Sequence, residues 1–252
     1  MHTPQPTTEK DERRKIFRAA FFPFVIGVLI VLCFVLEKGM GWDFRQGGVF
    51  PRNITSLWSI FTMPFIHSDW KHLLNNVFTF FILGSTLYYF YNQIASKVLF
   101  LCCVFSGALL WVIGRDSWHI GASGVVYSLA FFLFFSGVIR KHVPLIAISL
   151  VVVFLYGSMV WHLFPWHPHD IVSWEGHLAG GITGTILSVV YRKQGPQPPI
   201  PSWEEEEEEC ENEEMRECKK QRSLIFSFSH FLIFFKYIWI INIKILIFVA
   251  FL

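Results

Sequence analysis

The sequence predicts an all-α membrane protein: a bundle of six transmembrane helices with a long interfacial loop between the first two. Three observations carry this. Of 252 residues, 53% are hydrophobic and only 16% charged, where a soluble domain has about a quarter of its residues charged. The apolar residues come in blocks close to the ~20 needed to cross a ~30 Å hydrocarbon core. The lysines and arginines between those blocks are unequally shared, as the two sides of a bilayer require.

The first span is expected at about 16–36. The basic residues Lys10, Arg13, Arg14, Lys15 and Arg18 at its start resemble the beginning of a signal peptide. The apolar run is too long for one, however, and no small-x-small cleavage site follows, so the helix is expected to be retained. Glu9, Asp11 and Glu12 count against a mitochondrial transit peptide. Residues 37–72 form the long loop, whose Trp42, Phe44, Phe50, Trp58, Phe61 and Phe65 suit a segment packed at the membrane interface. Spans two to six fall at about 73–91, 97–113, 122–139, 144–161 and 175–191. With a cytoplasmic N-terminus (1–15), the inner side carries ten basic residues: the five from Lys10 to Arg18, at and just inside the start of the first span, then Lys97, Arg140, Lys141, Arg192 and Lys193. The outer loops carry five, Lys38, Arg45, Arg52, Lys71 and Arg115. That asymmetry orients the core (16–193) with both ends inside.

Beyond the core, 194–223 is a linker: Pro196, Pro198, Pro199 and Pro201 stiffen it, and Glu204 to Glu209 form a solvated acidic run. The apolar segment 224–252 is interrupted by Lys236 and Lys244. It is long enough for a seventh span, and equally open to being a stretch unrelated to the working fold. The net charge of +2 leaves no nucleic-acid footprint. Cys33, Cys102, Cys103, Cys210 and Cys218 match no zinc spacing and no disulfide framework, and are expected to behave as small buried hydrophobes.

Polar groups at membrane depth are costly and normally turn toward a cavity or a site. Three spans carry them as stripes. His72 and Asn76 stand four apart on the second, and Ser123 and Tyr127 four apart on the fourth. On the sixth, His177, Gly180, Gly181 and Gly184 fall at i, i+3, i+4 and i+7. Three such stripes most simply face one shared cavity, and Gly180-x-x-x-Gly184 allows two helices to approach closely. Ser123 is a weak nucleophile until a base takes its proton, and His177 is the natural base. Gly121 and Gly124 would leave room for substrate backbone. The start of the fourth span, with His72 and Asn76, would stabilise a developing oxyanion. Tyr127 is expected to pack against the imidazole in place of an acid, since Glu175, two before His177, lies ~200° around the helix. From Ser123 to Val138 is about 24 Å of helix, so the nucleophile would sit below the outer surface, in a pocket open to water. His119, four before Ser123, is expected at the pocket mouth. His162, His167, His169 and Asp170, before the sixth span, are expected to be interfacial loop residues; that loop could cap the cavity.

These residues resemble those of the rhomboid intramembrane serine proteases. Gly121-Ala122-Ser123-Gly124 with Tyr127 is similar to the family's GxSG segment, and His72 with Asn76 to its second-helix HxxxN pair. Gly176-His177 through Gly184 is similar to its last core helix, and His67 matches a loop histidine. The resemblance covers roughly 16–193. It implies a six-helix rhomboid-like bundle that cleaves transmembrane protein substrates near their outer membrane boundary, with neither metal nor cofactor. One departure stands out: Trp58 is followed by Ser59 where many members have arginine. A bacterial inner membrane is the expected location. Two other functions compete. A non-catalytic relative that binds transmembrane clients would lack the serine or the histidine. A transporter would want charges within the spans or internal repeats. No HExxH marks a zinc protease.

Overall fold

The computed structural model describes residues 9–147, 150 and 173–196. Within them the chain is helical, its sole extended pairing being an isolated antiparallel bridge between Val49 and His119. The long helices are α1 (Glu9–Met40), α3 (Trp70–Phe90), α4 (Ala95–Ile113), α5 (Ser123–Ile139) and α6 (Trp174–Val190), and a single turn, α2 (Ser59–Thr62), lies in the first loop. Three of them, α1, α3 and α4, are long and apolar enough to cross a membrane.

Helix α1 exceeds its expected 16–36 at both ends. Glu9, Asp11 and Glu12 in the first turn favour the positive end of the helix dipole, and Glu9 pairs with Arg13 one turn on, at 2.7 Å. Gly41, at φ +66°, takes the left-handed turn that ends the helix, and Trp42 N–H returns to the Glu37 carbonyl at 3.0 Å. Loop 41–69 is built of short turns that leave Ile54, Leu57, Trp58 and Phe61 exposed. Ser59, at the family's arginine position, is fully buried.

Large apolar side chains face outward as well as inward, in the manner of a membrane protein, and polar ones join the apolar interior. Phe17, Phe21, Val28 and Leu32 of α1, Phe100 and Phe105 of α4, and Ile186 and Val190 of α6 face outward. Asn76, Thr79, Ser85, Thr86, Ser106, Ser128, Thr183 and Ser188 are buried. Helix α1 lies on α3, where Ile30 and Phe34 meet Leu73 and Ala122. The most extensive helix contact is between α5 and α6, with α4 against both. Of the span expected at 144–161, only its start to Ala147 and Leu150 are among the described residues. Outside them lie His162, His167, His169 and Asp170, almost all of the capping loop, and the linker and apolar tail from 197 on.

Arg140 corrects an expectation. Counted above as a loop cation, it is 2% exposed. Its guanidinium donates to the Tyr191 carbonyl at 2.6 Å, to the Gln194 carbonyl and to Ser136 Oγ, and it lies 5.4 Å from the Tyr91 ring. It thus binds the C-cap carbonyl of α6, which also accepts from the Gln194 N–H, and a carbonyl in the turn beyond it, tying the end of α5 to α6 and α3. Arg140→Ala removes this tie: the Tyr191 carbonyl keeps the Gln194 N–H and Ser136 Oγ keeps the Tyr91 hydroxyl, while the Gln194 carbonyl loses its charged donor. With two acceptors still partnered, the net loss is that of one charged hydrogen bond, roughly 1.5–3 kcal/mol, so the unfolding midpoint in detergent is expected to fall by roughly 5–10 °C.

Candidate active site

The approach of α5 to α6 is set by what the glycines lack. A Cβ on Gly180 would land on the Gly124 carbonyl oxygen and 2.9 Å from Tyr127 Cβ, and one on Gly184 would land on the Ser128 carbonyl oxygen and 2.9 Å from Phe132 N. Gly124 faces the Gly176 carbonyl, 3.3 Å from its would-be Cβ. The expectation that Gly124 makes room for substrate is therefore replaced: its bare face makes room for α6. Ser128 Oγ, 3.0 Å from both the Gly124 and Gly180 carbonyls, adds a hydrogen bond across the seam. Sequence reading passed over Ser128, although it stands four after Gly124 on the same face.

This seam carries the two residues of interest. Ser123 is the first residue of α5, after the N-cap Ala122, and is half-buried. His177, in the first turn of α6, is 6% exposed. The Tyr127 ring stacks flat on the His177 imidazole, centroids 4.2 Å apart and planes 7° from parallel. Ser123 lies one turn before Tyr127 and next to Gly124, so it stands on the part of α5 that meets the first turn of α6. The first-turn N–H groups of α5 have no intrahelical acceptors, and point to the same end.

The third stripe arrives from α3. Asp69 caps that helix, accepting from His72 N–H at 2.9 Å. A Cβ on Gly121, where φ is +109°, would meet His72 Nε2 at 2.9 Å and Asn76 Nδ2 at 3.5 Å. The space at Gly121 thus goes to the His72 ring, not to substrate, and its own N–H is given to the Met63 carbonyl at 2.9 Å. Both departures leave His72 and Asn76 beside the segment that leads into Ser123.

His67 holds this corner from the loop side. Asn76 Nδ2 donates to His67 Nε2 at 3.1 Å, and the His67 and His72 rings lie 4.9 Å apart. Burial first, then the His72 ring, pushes His67 down to about 3. An unfolded chain would take up this proton near pH 6.5. His67 therefore contributes its full stability above about pH 6.5 and loses it progressively as pH falls toward 3. The unfolding midpoint in detergent should drop between these limits, and His67→Gln should flatten that slope.

Glu175, placed above on the far side of the helix from His177, is in the first turn of α6, 2% exposed and 3.5 Å from Arg115 Nε. His119, expected at the pocket mouth, is instead buried at 2% exposure, because its ring is bonded on both sides, to Ser173 and to the Arg115 carbonyl. Ser173 also caps α6, a role readable from a serine three residues before Gly176. Three of the five cysteines, Cys33, Cys102 and Cys103, are among the described residues and are free thiols.

Comparison with known proteins places these features in a lineage. The model of the rhomboid domain matches residues 55–194, from the first loop through the end of α6. Uncharacterized proteins of Mycobacterium bovis and Mycobacterium tuberculosis are each 30% identical over 202 residues, covering 74% of this chain and 80% of theirs. An uncharacterized protein of Mycobacterium leprae is 26% identical over 192 residues, covering 73% and 76%. The matched region contains all three polar stripes and the glycine seam, and with its outward apolar faces the chain is an integral membrane protein of the rhomboid family.

Proposed function

We propose that this protein is an intramembrane serine endopeptidase acting on transmembrane protein substrates. Ser123 is the nucleophile and His177 the general base. The observation that carries the reading is the Tyr127–His177 stack on the α5–α6 seam, because it holds the imidazole against the helix turn that begins with Ser123. His177 takes the Ser123 proton as Oγ adds to the scissile carbonyl. The oxyanion is met by first-turn N–H groups of α5 and by His72 and Asn76. Collapse expels the amine, which receives the proton from His177. Water, deprotonated by the same imidazole, then hydrolyses the acyl-enzyme. Tyr127 fixes the ring plane, and Gly124, Gly180 and Gly184 set the helix spacing. The two reacting residues need neither metal nor cofactor for this.

The charge asymmetry supports a cytoplasmic N-terminus, and the mycobacterial relatives suit a bacterial inner membrane. Serine-directed phosphonate labelling of purified protein, beside cleavage of a transmembrane substrate in proteoliposomes, tests the assignment. Labelling that persists in Ser123→Ala, or wild-type protein that neither labels nor cuts, overturns it; the second outcome leaves a non-catalytic binder of transmembrane clients.

A further inference from the structure

A separate set of contacts joins the same two elements without touching the proposed reacting atoms. His119 stands four residues before Ser123, and Ser173 four before His177. His119 Nε2 is 3.0 Å from the Arg115 carbonyl, which can only accept, so that nitrogen carries the proton and Nδ1 is the acceptor. Ser173 Oγ lies 2.6 Å from Nδ1 and 3.1 Å from Gly176 N. The amide can only donate, so the hydroxyl accepts from Gly176 and donates to His119. One neutral tautomer thus satisfies all three bonds. Burial, which lowers the His119 imidazole from its ordinary value, favours that neutral form.

Both ends are held without slack. The His119 backbone pairs with Val49 in both directions at 2.9 Å. A Cβ on Gly48 would fall 2.5 Å from the His119 carbonyl oxygen, and one on Gly114 3.1 Å from Nε2. Only Ile120, Gly121 and Ala122 separate His119 from Ser123, and Gly121 is pinned to Met63. At the other end, His177 N–H closes the turn on the Ser173 carbonyl at 3.3 Å. Arg115–Glu175 runs beside this link, joining the same loop to the same turn.

We propose that the His119–Ser173 hydrogen bond is a positioning strut that sets the distance between Ser123 and His177. It rests on the catalytic reading of those two residues. His119 and Ser173 touch no substrate; they act through the elements they hold. A misplacement of about 1 Å can cost 10²-fold in rate, and loss of a buried link between two rigid elements allows shifts of that order.

The test is kcat and KM for a transmembrane substrate in proteoliposomes, with unfolding midpoints in parallel. Ser173→Gly is the informative variant, because glycine is tolerated at an N-cap yet has no hydroxyl to give to His119. Ser173→Gly and His119→Ala are each expected to lower kcat by roughly 10- to 100-fold, with KM little changed. The double variant should be no slower than the slower single one, as for partners in one interaction. Ser173→Thr, which keeps the hydroxyl, should recover most of the rate, and His119→Asn, which keeps an acceptor near Nδ1, should recover part. Wild-type kcat in Ser173→Gly, losses that multiply in the double variant, or a change confined to KM overturns the strut alone. A wild-type protein that neither cuts nor labels overturns the catalytic reading, and the strut with it.

Discussion

Ser123→Ala and His177→Ala are each expected to reduce kcat for a transmembrane substrate by roughly 10⁴- to 10⁶-fold, the range seen when one member of a serine–base unit is removed. The two losses should not add. Without its hydroxyl the site has no nucleophile for His177 to serve, and without the imidazole the hydroxyl stays protonated. The double variant should therefore match the singles, whereas two residues with independent roles would multiply their effects. Both variants should fold. Ser123 is half-buried at a helix start whose cap is Ala122, so losing one hydroxyl leaves packing intact. His177→Ala removes a ring from a stack and costs more stability, which makes His177→Gln the better control for insertion and folding. Phosphonate labelling separates the roles: Ser123→Ala cannot form the adduct, while His177→Gln forms it slowly. A phosphonate adduct of equal rate in wild type and His177→Gln would remove His177 from the mechanism.

The helices were legible because a bilayer imposes a length on them, and α3, α4, α5 and α6 lie within a few residues of the expected spans. The site stripes were legible for the complementary reason: His72, Asn76, Ser123 and His177 stand out at a depth where polar groups are costly. The charged ends of α1 read as flanking loop, yet an acidic first turn and the Glu9–Arg13 pair extend the helix there. Arg140 and His119 read as loop residues facing water, and both are buried. Each has backbone carbonyls among its partners, of Tyr191 and Gln194 for the arginine and of Arg115 for the histidine, and a carbonyl has no letter in the sequence; the histidine's other partner, Ser173, is 54 residues away. The glycines show the same blindness in reverse. Gly121 and Gly124 were recognisable as places that must stay empty of side chain, but not what comes into the gap: the His72 ring at one and the Gly176 carbonyl at the other.

That gap-filling leads to the second large effect, Gly180→Ala. In many membrane helices a glycine-to-alanine change is mild, because one methyl group finds space among neighbouring side chains. Here the methyl would be directed at backbone, the Gly124 carbonyl, with Tyr127 Cβ 2.9 Å away. Neither can rotate aside, so α5 and α6 must separate or slide by something near 1 Å. Overpacking of this kind typically costs 1–3 kcal/mol, occasionally more, which is roughly 3–10 °C in the unfolding midpoint. Activity should suffer more than stability. The displaced surface bears the Tyr127–His177 stack one turn from Ser123, and about 1 Å of misplacement can cost 10²-fold. Gly184→Ala, one turn further from His177 and aimed at the Ser128 carbonyl, is expected to destabilise as much while slowing cleavage less. Gly181→Ala serves as the comparison: its Cβ would meet the Phe131 ring at 3.3 Å, a side chain able to yield, so it should retain most of both. Equal kcat in the Gly180, Gly181 and Gly184 variants would mean that the helix seam does not set the geometry of the reacting pair.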